Sequence, residues 1–157
     1  MKYTQLTKEQ FEELHEEFAV FLAAQSIDVK EWDTIKKEKP DLADKELNIF
    51  SDFVWEKVLD NATYLEHFSA DVLNLFKCNK DNMQRMVVKV KKEGINLLNE
   101  TDFNWFLDNS KSDSIEYLKG EKKYNEARNQ DVFELIKQGC VVAKGELFEG
   151  IFKIISK

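Results

Sequence analysis

The sequence predicts an α+β fold: helices at the N-terminal end, a small central antiparallel β-meander, and helices at the C-terminal end. Three observations carry this. Apolar residues recur at helical spacing up to about residue 60 and again after Gly94, and they alternate at strand spacing in between. The chain has only 5 Gly and 1 Pro, too few turn-makers for a many-stranded β-fold. Its 157 residues include 12 Phe, enough to bury an aromatic-rich core without metal or disulfide help.

Thr7 to Gln10 is a capping-box pattern. The helix after it sets Phe11, Leu14, Phe18, Phe21 and Leu22 on one face, and Glu9, Glu12, Glu13, Glu16 and Glu17 fill much of the rest. Ser26 interrupts the pattern. A shorter helix starts at Asp28, carries Trp32 and Ile35, and ends before Pro40, because a residue preceding proline is pushed away from helical angles. A third helix runs from about Asp41 to Asp60. Its main face is Leu47, Ile49, Phe50, Phe53, Val54 and Val58, while Trp55 and Leu59 fall on a separate face.

The period then changes. Tyr64 to Phe68 reads as a strand, and Val72 to Cys78 as a second, although Ser69 to Val72 could equally cap a helical turn. Met83 to Lys91 alternates cleanly, with Met86, Val88 and Val90 on one face and Arg85, Lys89 and Lys91 on the other. Short turns between these strands imply antiparallel pairing. Thr101 can cap a short helix through Asp108. Lys111 to Gly120 is polar and reads as a loop. Asn129 caps a helix bearing Val132, Phe133, Leu135 and Ile136, which Gly139 stops. From Cys140 to Lys157 a hairpin competes with a strand followed by a helix from Glu146. The stripe Leu147, Phe148, Ile151, Phe152, Ile154 and Ile155 favours the helix. No repeat or linker interrupts the chain, so one domain, 1–157, is expected.

Charge and cysteine usage exclude several classes. At a net charge of −7 the chain repels phosphate backbones at long range, which disfavours nucleic acid as a partner. Cys78 and Cys140 form no C-x-x-C, as expected of ordinary thiols in a reducing compartment. No apolar signal segment stands at the N-terminus, and the run from Ala19 to Ala24 is far too short for a membrane span. The expected location is the cytoplasm, with no membrane contact.

Glu12 and His15 form an E-x-x-H step, which places a carboxylate and an imidazole one helical turn apart, as in di-metal helical bundles. Such sites need two steps and further carboxylates. Here only His67 and Cys78 could complete a metal set, and a surface helix whose His15 edges the apolar face is the preferred reading of the pair. No G-x-S-x-G, P-loop or dinucleotide motif occurs, so no catalytic residue and no cofactor is expected, and the reading leans away from an enzyme. Arg85, Lys89 and Lys91, with Lys77 and Lys92 nearby, form a basic stripe on an acidic chain. The stripe could meet RNA phosphates or an acidic protein, but without stacking aromatics on that strand face a solvated face is the preferred reading. Trp55, Leu59 and Trp105 remain as candidate anchors for a protein partner, against the simpler reading of an aromatic core.

Lys2-Tyr3, Leu6 to Glu9, Phe50 to Asp52 with Trp55, Tyr64 to Glu66, and Phe133 to Gly139 with Gly145 and Leu147 together resemble a family of short, uncharacterised bacterial proteins, a domain of unknown function. The resemblance covers most of the chain. It implies a bacterial cytoplasmic protein and assigns no activity to any residue. The expectation is a non-enzymatic interaction or adaptor protein with a protein partner or a second copy of itself. A metal-dependent enzyme around Glu12 and His15, or a nucleic-acid-associated regulator at the basic stripe, is the alternative.

Overall fold

Thr7 caps the first helix as its side chain allows: its Oγ1 accepts from the Gln10 amide at 3.2 Å, and the Gln10 side chain accepts from the Thr7 amide at 2.8 Å. The computed structural model describes residues 1–156, and the chain divides into two units, Met1–Val58 and Leu59–Lys157.

In the first unit the expected long helix is two: α1 (Lys8–Glu13) and α2 (His15–Ala23), broken where Leu14 takes φ −102 and ψ 22. The break lets rings from both pieces converge on one side chain, with Phe11 and Phe18 centroids 6.1 and 5.0 Å from Phe50. Ser26 reverses the chain with a positive φ of 61, and Asp28 caps α3 (Val29–Glu38) by accepting from the Glu31 amide at 2.8 Å. Trp32 of α3 meets the Phe18 ring edge-on at 5.3 Å. Lys39 leaves helical geometry before Pro40, which starts α4 (Pro40–Asp60); proline suits the first helical position, where no amide hydrogen is needed. The N-terminal segment is fastened along α4. Asp52 accepts from the amides of Lys2 and Tyr3 at 2.8 and 2.9 Å. The buried Ser51 hydroxyl accepts from the Leu6 amide at 2.9 Å and donates to the Leu47 carbonyl at 2.7 Å.

The second unit is built on a five-stranded antiparallel sheet, β1 (Tyr64–Phe68), β2 (Val72–Cys78), β3 (Asn82–Val90), β4 (Ile115–Lys123) and β5 (Val141–Ala143), in the order β4-β3-β2-β1-β5. Val72–Cys78 is therefore a strand, and the meander is extended by one strand at each edge. The segment expected as a loop, Lys111 to Gly120, contains most of β4. Its polarity misleads because β4 is an edge strand. Only Ile115 is buried, Glu116 and Tyr117 are half-buried, and the rest, mostly charged, faces water along an edge that benefits from charge.

Register fixes the two faces. Tyr64, Glu66, Phe68, Leu73, Leu75, Met86, Val88, Val90, Ile115 and Tyr117 share one face. Phe106 of α5 (Glu100–Asp108) and Phe148 and Ile151 of α7 (Glu146–Ile155) pack against it. The opposite face carries Leu65, His67, Phe76, Cys78, Met83, Arg85, Val87, Leu118 and Gly120, and α6 (Arg128–Lys137) lies along it.

Two caps differ from expectation. Asn99, not Thr101, caps α5 by accepting from the Asp102 amide at 2.8 Å. Ala127 occupies the N-cap of α6, and Asn129 instead donates to Asp60 at 2.8 Å. The next residue back explains the shift. Arg128 drives its guanidinium into the carbonyls of Leu59, Ala62 and Cys78 at 2.8, 2.7 and 3.2 Å. Arg128 thereby ties the end of α4 and the end of β2 to the start of α6. From Cys140 onward the strand-then-helix reading holds; Lys157 lies outside the described residues.

Candidate functional site

Between α5 and α7, at the β1–β5 edge of the sheet, lies an open groove of about 610 Å³. Its walls are Phe103, Phe106 and Leu107 from α5 and Leu147, Ile151 and Ile154 from α7, with Phe68 and Ala143 below. The amphipathic pattern of α7 builds this directly: Phe148 and Ile151 turn into the core, and Leu147 and Ile154 are left over to line a cleft.

The start of α7 is fixed by a close approach. Gly145 has φ 91, and a Cβ there would lie 2.5 Å from Tyr64 Cδ2. The space a side chain would need belongs to the Tyr64 ring, whose hydroxyl donates to Glu149 at 3.0 Å. Lys77 donates to the same Glu149 oxygen at 2.9 Å. That hydrogen bond raises the Lys77 pKa and lowers the Glu149 pKa, so each group holds the other charged.

Ser110, Lys144 and Glu146 also line the groove, and Glu66 stands on its floor. Glu66 pairs in register with Leu75 and Val141 on the core face of β1. Among the described residues it has no hydrogen-bond or ion-pair partner, and burial pushes its carboxyl up from the ordinary carboxylate range. Sequence reasoning missed it, although a signal was present: Tyr64, Glu66 and Phe68 alternate, so the carboxylate falls on an apolar face.

Just outside the groove is the sheet edge. β5 pairs only with β1, and Val141 and Val142 are 61% and 50% exposed. Leu107 on the opposite rim is 47% exposed.

The residues singled out from sequence are dispersed. In the first unit Glu12 and His15 are exposed, and His15 Nδ1 lies 2.9 Å from the backbone carbonyl of Glu12 rather than its carboxylate. Trp55 is half-buried on α4. In the second unit His67 is half-buried on β1 beside Gly139, and Cys78 is buried at the end of β2, where burial pushes its thiol up to about 11. Burial likewise raises the Cys140 thiol. Among the described residues no group of three or more His, Cys, Asp or Glu is placed to hold a metal ion. Leu59 is fully buried, and Trp105 lies half-buried beneath the Lys92 ammonium at 4.3 Å. The basic stripe is not uniform. Lys91 pairs with Glu116 at 3.2 Å, Lys89 is exposed, and Arg85 donates to Asn74 at 2.6 Å with its guanidinium 5.5 Å from the Phe76 ring centre. No described helix is long and apolar enough to cross a membrane.

The fold and groove define an α+β protein with helices on both faces of an antiparallel sheet and an apolar cleft opening at one sheet edge. The chain belongs to the family of unknown function DUF6495, whose model matches residues 1–156. No curated protein and no solved structure matches it.

Proposed function

We propose that this protein is a non-enzymatic adaptor of the bacterial cytoplasm. In this reading it binds an extended segment of a protein partner along β5 and takes one of the segment's side chains into the α5–α7 groove. The observation that carries this is the juxtaposition of an open apolar groove with a strand edge that bears exposed Val141 and Val142 and no further strand. Strand addition supplies main-chain hydrogen bonds for affinity, and a pocket beside the edge reads alternate side chains for specificity. Glu66 narrows the choice of occupant. A carboxylate without a partner in an apolar floor favours a side chain that is mostly aliphatic and ends in a cation, such as lysine, whose stem lies on Phe68 and Ile151 while its ammonium meets Glu66.

The test is site-specific photo-crosslinking in cells that naturally make the protein, with the photoreactive residue at Leu107 or at Val142. The expected result is one dominant adduct from both positions, lost in Val141→Lys and in Glu66→Leu. An adduct that survives both substitutions, or that forms equally from a photoreactive residue at exposed Lys30 of α3, overturns the reading. A second copy of this chain as the adduct would identify the partner segment as its own.

A further inference from the structure

The opposite face of the sheet holds a second groove, of about 690 Å³, between the β3–β4 pair and α6. Two features of it are open to an occupant from outside the chain: an empty place on an exposed strand and an exposed, oriented guanidinium. The first is Gly120, in the interior of the nine-residue strand β4. Glycine in a strand costs stability and packs nothing, and it commonly marks a place where something approaches the backbone closely. Here nothing of the protein does: a Cβ at Gly120 would meet no atom within 4 Å, and its φ lies outside the positive range that favours glycine. The second is Arg85, directly opposite Gly120 in register. Its guanidinium is held in place by the neutral Asn74 carbonyl at 2.6 Å and by the Phe76 ring, yet no carboxylate ion-pairs with it among the described residues. Lys122, diagonal to Arg85 on the same face, also has no ion-pair partner there. Four acids also line this groove: Glu126 is exposed, and Glu121 pairs in register with Gln84, on the other face from Arg85, and accepts from the Asn82 side chain at 3.4 Å. Asp131 accepts from the amides of Asn125 and Glu126 at 2.7 and 3.2 Å, and Glu134 pairs with Lys137 at 2.9 Å. Beside the basic pair lie Val87, Leu118 and Leu135.

We infer that this groove binds a small amphipathic organic anion. Its carboxylate or phosphate lies over Gly120 between Arg85 and Lys122, and its apolar body rests on Val87, Leu118 and Leu135. A guanidinium already oriented by Asn74 and Phe76 presents its remaining N–H groups as a fork, which suits a planar or tetrahedral anion better than a mobile ammonium would. The missing side chain at position 120 is then the seat of the head group. This site is independent of the α5–α7 groove, which lies on the other face of the sheet.

The probe is 2-naphthoate, with 2-naphthyl phosphate as the phosphate arm and 2-naphthalenemethanol as the neutral control. Binding is followed by amide chemical shifts of the full-length protein. The expected result is saturable shifts centred on Gly120, Leu118 and Leu135, with the alcohol about tenfold weaker or more. Whichever of the two anions binds more tightly identifies the head group. Arg85→Gln should weaken binding about tenfold or more, since it removes a charge-assisted pair. Gly120→Val is the sharper variant: it fits the vacant space, should raise the melting temperature, and should abolish binding. Equal affinity for the alcohol, shifts that avoid Gly120, or binding unchanged in Arg85→Gln or in a folded Gly120→Val protein would overturn the inference.

Discussion

Replacing Gly145 by alanine adds one methyl group at the point where β5 turns into α7, and its cost can be built from three parts. The native φ of 91 is left-handed, and an L-residue there costs about 1–2 kcal/mol. The new Cβ would sit 2.5 Å from Tyr64 Cδ2, so the ring must swing away. That breaks the hydrogen bond from the Tyr64 hydroxyl to Glu149, about 1 kcal/mol net. It also separates the Tyr64 and Phe148 rings, now 5.7 Å apart, another 1 kcal/mol or so. The sum is about 3–4 kcal/mol, a large share of the ~5–15 kcal/mol that holds a typical domain together. Urea unfolding followed by circular dichroism measures it as a lowered midpoint at unchanged slope. The same substitution in a Tyr64→Ala background isolates the mechanism. With the ring gone only the backbone part should remain, about 1–2 kcal/mol, which leaves a coupling of about 2 kcal/mol between the two positions. A cost below about 1 kcal/mol, or one identical in both backgrounds, would refute the argument that Tyr64 occupies the space of a side chain at 145.

Arg128→Ala strands three backbone carbonyls, those of Leu59, Ala62 and Cys78, and should cost about 3–6 kcal/mol in a urea titration; Arg128→Lys, with a single donor group, should recover less than half of that. Glu66→Gln should stabilise the protein at pH 7 and make little difference in acid. Burial raises the folded-state pKa of Glu66 above its unfolded value, so its cost is absent below the unfolded pKa and grows as pH rises through the folded one. A stability gain that is equal at both pH values would contradict this. Cys78, with its thiol pushed up to about 11, and Cys140, raised in the same direction by burial, should resist iodoacetamide at pH 7.5 in the folded protein and react together on unfolding, read by intact mass.

Much of the fold was legible because local and tertiary preferences agree. Thr7, Asp28 and Pro40 act where their side chains dictate, and the alternation of Met86, Val88 and Val90 places them in the core as it should. The losses share one cause, which is that tertiary partners decided the matter. β4 pairs with β3 over its whole length while burying only Ile115, so its sequence carries no strand alternation to find. Leu14 breaks the first helix to bring Phe11 and Phe18 onto Phe50, a residue more than thirty positions away. The groove walls were partly visible, since the α7 stripe was grouped from spacing alone. Their meeting around Glu66 depends on which strand sits at the sheet edge, and a three-residue β5 leaves too short a pattern to announce that.

Glycines, and charged residues on the core face of the sheet, divide into those the chain explains and those it does not. Gly145 is explained by Tyr64, and the ring of His67 lies 3.4 Å from where a Cβ of Gly139 would stand. Lys77, on the core face beyond Leu75, is explained by Glu149. Each is a local rule broken with a compensating partner in view. Glu66 and Gly120 are different. One is an acid on an apolar face without a partner, and the other is a gap in a strand that no atom of the protein fills. A sequence that otherwise satisfies its own local rules keeps such exceptions where an interaction outside the fold repays them. Both exceptions open into grooves, one on each face of the same sheet. A purely structural account would have to find each of them a compensating contact within the chain, and the described residues offer neither one.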